Sequence, residues 1–288
     1  MTKMDRKQRR TTGRIGWGRT ALTWLLAAII LLPFAFAIWT AQKPRDRVDP
    51  SYYYLVESKR LPEPDVRREI EVDPRPLRVS LMNTIWVASA STVICVILSS
   101  LAGYAFAKKQ FTGKRWLFDI VLASMAVPAA ILMMPLFHLT SMVRLYDSLT
   151  AIILPFGVTG FGIFYMRYAI SAVPDDLVHA AQIDGLSEVG ALFRVVLPTV
   201  RSSVLTLAAL HFITVWGAFV VPQALVDSPE NYTIGVLIGR LMTDYRGLMW
   251  NDIMIVVLAS IIPVMILFVI FDRWVLRGMQ AIGEERDA

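Results

Sequence analysis

The chain has 288 residues, 56% of them hydrophobic and only 18% charged, with a mean hydropathy of +0.54. Those values exclude an ordinary soluble enzyme and point to a multispanning membrane protein. The net charge of +6 is not a nucleic-acid signature, because the basic residues sit at the ends of apolar runs, as the positive-inside rule requires.

At about 20 residues per span, the length suits one all-α integral membrane domain with six transmembrane helices. Residues 1–20 are basic, with Lys3, Arg6, Lys7, Arg9, Arg10, Arg14 and Arg19 against Asp5, and are expected to stay cytoplasmic. The membrane domain is expected over 21–275. Its first span is 21–39, with Pro33 inside. Ala35-Phe36-Ala37 also fits a signal-peptide cleavage site, but the apolar run is longer than a usual h-region, which favours an uncleaved span. Residues 40–80 form a long external loop with Tyr52-Tyr53-Tyr54 and several prolines. It reads either as a solvated ordered loop or as a docking surface for an external partner.

The second span is 81–107, opened by Asn83-Thr84, and Lys108, Lys109, Lys114 and Arg115 anchor an inside loop after it. The third, 117–137, carries Pro128 and Pro135, whose freed carbonyls need neighbours or water. Residues 145–149 make a short outside turn. The fourth span, 149–166, contains Gly157, Gly160 and Gly162, a density that suits close packing or a lined cavity. Arg167 ends it on the inside.

The segment 167–203 is polar and sharply punctuated. Pro174 opens a helix, since its missing N–H is one the first turn does not use. Asp175 and Asp176 suit the positive end of the helix dipole. Gly185 ends that helix in the left-handed C′ conformation, and Ser187 caps a second one with Glu188 in its first turn. Val189, Leu192, Phe193, Val196 and Leu197 then fall on one expected stripe, which Pro198 ends or bends. The fifth span, 204–226, holds His211, Trp216 and Pro222. The sixth, 253–275, holds Pro263, and 276–288 form a short cytoplasmic tail. Both termini are expected inside.

No nucleotide-binding P-loop, HExxH helix or G-x-S-x-G elbow occurs. His138, His179 and His211 have no metal spacing, and Cys95 is the single cysteine, so no intrachain disulfide forms. His211 is a titratable group in mid-span and therefore a pathway candidate. Trp216 either stacks on an apolar sugar face or anchors at the interface.

His179-Ala180-Ala181, Gly185, Val195, Leu197 and Pro198 have the spacing of the EAA motif, EAA-x3-G-x9-I-x-L-P, with His179 in place of Glu and Val195 in place of Ile. Ile183-Asp184-Gly185 resembles the "IDG" of the carbohydrate branch. The 103–114 stretch resembles "AYALAR-x-x-F-x-G-K/R", Asn83-Thr84 the opening "N-S/T", 145–149 "G-L-I-D-T/S", and 232–236 "Y-T-L-P/A-V-G". On these residues the chain resembles the maltose-type carbohydrate permeases of ATP-binding cassette (ABC) importers. Trp216 and Pro222 fit a further motif, "W-N-D/E-F-x-x-P", whose polar pair is replaced by Gly217 and Ala218.

The resemblance implies the fold of the binding-protein-dependent permeases in a bacterial-type inner membrane. It implies four partners: a cytoplasmic ABC ATPase dimer, a second related permease, an extracytoplasmic solute-binding protein and the lipid. It implies no nucleic acid and no cofactor in this chain, with ATP and Mg on the ATPase. The coupling residues it implies are Asp176, His179, Ala180, Ala181, Asp184, Gly185, Leu197 and Pro198. Asn83, His211 and Trp216 are the candidates for the pathway of a sugar or related polyol. The rival reading, an ion- or proton-coupled secondary transporter, calls for buried acidic residues or paired broken repeats, whereas Asp119, Asp252 and Asp272 lie near span ends. A membrane-embedded enzyme calls for a clustered polar site, and none is apparent.

Overall fold

The computed structural model describes residues 17–42, 74–244 and 250–284. The expected basic N-terminal segment up to residue 16 and most of the external loop, 43–73, lie outside the described residues. Every α-helix or 3-10 or π-turn among the described residues belongs to an all-helical fold, with no strand.

The chain forms α1 (Trp17–Ala41), α2 (Pro74–Lys108), α3 (Lys114–Ser124), α4 (Ala129–Met142), α5 (Leu149–Phe156) and α6 (Gly160–Ser171). Then come α7 (Asp175–Ile183), α8 (Glu188–Thr199), α9 (Arg201–Trp216), α10 (Val220–Leu225), α11 (Ile234–Asp244) and α12 (Trp250–Glu284). The described part divides into two packing units. One holds α1 and the first residues of α12, where Ala37, Thr40, Asn251, Ile253 and Val256 are buried. The other holds α2 to α11 and the remainder of α12.

Among the described residues, two helices are alone long and apolar enough to cross a membrane, over Thr20–Ala41 and Leu77–Lys108. Three further stretches qualify as bent pairs: α3 with α4 at 103°, α5 with α6 at 42°, and α8 with α9 at 86°. In α12 the apolar part is Ile253–Val269. The helices extend beyond the expected spans: α2 begins at Pro74, ahead of 81, and α12 runs to Glu284, past 275.

The breaks have local causes. Pro128 sits at the N-cap of α4 with extended backbone. A residue before proline avoids the helical region and proline donates no N–H, so the third stretch breaks there instead of merely kinking. Thr159 recaps the fourth stretch, its hydroxyl accepting from the Gly162 N–H at 3.1 Å. The fifth stretch stops at Trp216 and resumes at Val220 across Gly217.

The second unit has two apolar clusters. One gathers Tyr104, Met166, Ile170, Val173, Val178, Ala181, Leu192, Val196 and Leu207 at the α7–α8 end. The other gathers Val87, Ile152, Val215, Trp216, Val221, Leu225 and Val236 at the opposite end. α2 runs through both and packs closely on α6. A side chain at Gly103 would meet the Arg167 N–H nitrogen at 2.8 Å, and one at Gly162 would collide with Ser99 Oγ. Small residues at both crossings permit this approach between helix backbones.

Candidate functional site: the α7–α8 hairpin and the polar pins

Asp175 and Asp176 occupy the first turn of α7. At its far end Gly185 takes φ +83°. The Leu186 N–H donates to the Ala181 carbonyl and the Gly185 N–H to the Gln182 carbonyl, each at 3.0 Å. These are the two bonds of a Schellman motif, which satisfies carbonyls the helix end leaves free. No atom lies within 4 Å of a Cβ added at Gly185. The requirement for glycine is therefore conformational, not steric crowding. The Ser187 hydroxyl accepts from the Gly190 N–H at 3.1 Å and starts α8, as its position suggests.

α8 departs from the expected stripe. Leu192–Val196 is a π-helical turn. It lies just upstream of Pro198, which cannot donate to a preceding carbonyl and crowds the ordinary helical turn. The wider turn shifts the register. Ala191, Leu192, Val196 and Val200 are buried and Leu197 is half-buried, whereas Val189 and Phe193 are exposed. Val189 and Phe193 thus do not share one stripe with Leu192 and Val196 as expected.

α7 divides into two faces. Val178 and Ala181 enter the cluster beneath it. Asp176, Leu177, His179, Ala180, Ile183 and Asp184 are exposed, Ile183 to 85%. Of the expected coupling residues, Asp176, His179, Ala180, Asp184, Gly185 and Pro198 therefore lie on the surface. Ala181 does not: at 4% exposure it seats α7 on its own bundle.

Two consecutive lysines at the end of α2 reach this hairpin. Lys108 Nζ donates to the Val173 carbonyl and to Asp175 Oδ1, the latter at 2.6 Å. Lys109 Nζ donates to Glu188 Oε1. The hydrogen bond from Lys108 holds the Asp175 carboxyl below its ordinary range, with the lysine's charge acting in the same direction. Sequence reading had assigned these lysines only to anchoring a loop. A pair of acids at helix starts opposite a pair of lysines was the signal that could have found the contacts.

The three pathway candidates hold the protein together instead of standing free. Asn83 Nδ2 donates to the carbonyls of Glu230 and Tyr232 at 2.7 and 3.0 Å. His211 is buried. Its Nε2 lies 2.9 Å from the Phe156 carbonyl oxygen and its Nδ1 lies 3.1 Å from Thr92 Oγ1. A carbonyl only accepts, so Nε2 carries the proton and Nδ1 accepts from the threonine. Trp216 is 6% exposed. It stacks on Phe212 at 5.8 Å, and its Nε1–H donates to the Ser260 carbonyl at 3.1 Å. Its ring is buried within this chain.

At the other end, Asp147 has φ +59°, a left-handed conformation that aspartate tolerates. Its Oδ1 accepts from the N–H groups of Asp227 and Ser228, each at 3.0 Å, and its Oδ2 from the Ser228 hydroxyl. Asn231 Nδ2 donates to its carbonyl at 2.7 Å. These donors, led by the Ser228 hydroxyl, hold the carboxyl at about 2. Thr84 Oγ1 accepts from the Ile234 N–H at 2.8 Å. Asp147, Asn83 and Thr84 together fix the 227–234 segment. Among the described residues, no group of three His, Cys, Asp or Glu could hold a metal, and no Asp or Glu is buried.

Comparison with known proteins places this architecture. Residues 81–280 match the family described as "Binding-protein-dependent transport system inner membrane component". The chain is 32% identical over 201 residues to the arabinooligosaccharides transport system permease protein AraQ of Halalkalibacterium halodurans, covering 70% of this chain and 72% of that protein. It is 32% identical over 211 residues to the sulfoquinovosyl glycerol transport system permease protein SmoH of Agrobacterium fabrum, covering 73% and 74%. It is 30% identical over 197 residues to the lactose transport system permease protein LacG of Rhizobium radiobacter, covering 68% and 72%. In fold it is similar to a chain of a bacterial ABC transporter involved in the import of the acidic polysaccharide alginate. The TM-score there is 0.71 at 19% identity, over 95% of this chain and 98% of that one.

Proposed function

We propose, from the premise that the chain belongs to the binding-protein-dependent transport system inner membrane components, that its exposed α7 face is the docking point for a cytoplasmic ABC ATPase. The chain is a membrane permease subunit of a binding-protein-dependent importer, a transport component and not an enzyme. Its hydrolytic partner supplies ATP and Mg chemistry. The hairpin end then faces the cytoplasm, with both termini on that side, and the 227–234 end faces outward toward a solute-binding protein. A second, related permease completes the pathway. The solute is a sugar or related polyol, a reading supported by relatives named for arabinooligosaccharide, sulfoquinovosyl glycerol and lactose transport.

One observation supports the docking assignment above the others. Ile183 is 85% exposed at the end of a short helix whose neighbours Val178 and Ala181 are buried. A large side chain left out of its own core, beside His179, Ala180 and Asp184, suits a partner groove that covers it. Burying an isoleucine stabilises by about 1.5–3 kcal/mol. Ile183→Asp is therefore expected to abolish co-purification of the ATPase while the permease still reaches the membrane. Wild-type ATPase recovery with Ile183→Asp counts against docking on this face.

A further inference from the structure

Lys108 and Lys109 are adjacent in the chain yet reach different helices of the hairpin. Lys108 holds the start of α7 through Asp175 and the Val173 carbonyl, and Lys109 holds the start of α8 through Glu188. One attachment would allow the hairpin to pivot. Two attachments on separate helices remove that freedom. The Lys108 side chain is only 8% exposed while that of Asp175 is 69% exposed, so the ion pair stays open to screening on its acid side and the part-buried bond to the Val173 carbonyl is the sheltered one. Both acids also sit in first turns, where negative charge is already favoured by the helix dipole.

Apolar packing acts in the same sense. Tyr104 of α2, Met166 and Ile170 of α6, Val178 and Ala181 of α7 and Leu192 and Val196 of α8 belong to one cluster. Close-packed cores shift between discrete arrangements and do not shear continuously. One break that could absorb motion lies outside this block, at Gly157–Thr159 between α5 and α6; the bend at Val200 between α8 and α9 is packed into it, with Val200 and Leu207 in the same cluster.

We infer that the α7–α8 hairpin and the inner end of α2 move as one rigid body. Lys108 and Lys109 are the positioning residues that convert a push on α7 into displacement of α2. This rests on the docking assignment above only for the source of the push. A hairpin that slid over the α2 end would lose the same push in relative motion.

The test uses the assembled transporter with Cys95→Ala. Lys109→Cys and Glu188→Cys are combined and bridged with a bifunctional thiol reagent. Unbridged, the pair has lost its strap, and solute uptake per ATP hydrolysed is expected to fall severalfold. Bridging is expected to restore it. Bridging that blocks uptake further overturns the proposal, because it shows that the hairpin must slide over α2. Lys109→Glu and Glu188→Lys are each expected to uncouple, and the double exchange to recover. Wild-type coupling in both singles also overturns it. Amide hydrogen exchange in the same preparations gives a readout that does not involve the ATPase. Lys109→Glu is expected to raise exchange severalfold in α7 and α8 together, and unchanged exchange counts against the strap. Co-purification of the ATPase with the wild-type chain is scored separately, so failure of the docking assignment leaves the exchange result standing.

Discussion

The Nε2 of His211 lies 2.9 Å from the carbonyl oxygen of Phe156, the last residue of α5. The break before α6 removes the helical donor that this carbonyl would otherwise meet, and an imidazole from α9 takes its place. The same ring is held by Thr92 of α2, so one side chain pins three helices at the point where the fourth stretch bends by 42°.

Removal of that pin leaves a part-buried carbonyl and a buried hydroxyl without partners. His211→Leu is expected to lower stability by about 1–3 kcal/mol. Thr92→Val, which removes only the second bond, is expected to cost about 1 kcal/mol. Thermal unfolding of the detergent-solubilised protein measures both. Equal stability of His211→Leu and wild type would show that the Phe156 carbonyl finds another donor.

Asp147 predicts a pH dependence. Its carboxyl is held at about 2 against an ordinary 3.8. The folded form thus releases its proton more readily than the unfolded one. The stabilisation is fully present above about pH 4 and is lost as the pH falls through about 2. Asp147→Asn is expected to melt at a lower temperature than wild type at pH 7, and the gap is expected to close between about pH 4 and pH 2. A gap that stays constant across that window would remove the ionised carboxylate from the account.

Gly185 predicts a conformational and not a steric effect. The left-handed backbone costs an L-residue roughly 1–2 kcal/mol, and asparagine tolerates it better than a β-branched residue. Gly185→Val is expected to impair ATPase recovery or uncouple hydrolysis from uptake, and Gly185→Asn to do so much less. Both are read by uptake per ATP hydrolysed. Equal behaviour of the two variants would indicate that the Schellman turn is dispensable.

His179 tests what the docking groove requires. It is exposed on α7, in the place where the EAA motif carries a glutamate. A histidine carries no negative charge, so a native groove that accepts it does not depend on an anion. His179→Glu is expected to reduce co-purification of the native ATPase, and His179→Gln to be milder. Identical recovery for the Ala, Gln and Glu variants would exclude this side chain from the contact.

The ends of α7 and the start of α8 were legible in the sequence because single residues decide them. Pro174, Gly185 and Ser187 each do locally what their chemistry dictates. The register of α8 was not, since the π-turn at Leu192–Val196 follows from fitting Pro198 into a packed bundle. The break at Pro128 was legible as a position, but its 103° angle is set by tertiary packing. The candidates Asn83, His211 and Trp216 were recognised as notable polar or aromatic residues in spans. Only their partners, 44 to 149 residues away in sequence, reveal that they join helices. That Ala181 faces its own bundle was not legible either, because sequence alone does not say which side of a short helix that bundle takes.

The central claim is that the exposed face of α7 meets the ATPase on the cytoplasmic side. The most direct measurement is thiol cross-linking in membranes that contain the assembled transporter, with Cys95→Ala as background and single substitutions His179→Cys, Ile183→Cys and Glu230→Cys. The account predicts ATPase adducts from positions 179 and 183, and labelling of position 230 alone by an impermeant thiol reagent added outside. Adducts from position 230, or outside labelling of position 179 or 183, would contradict it.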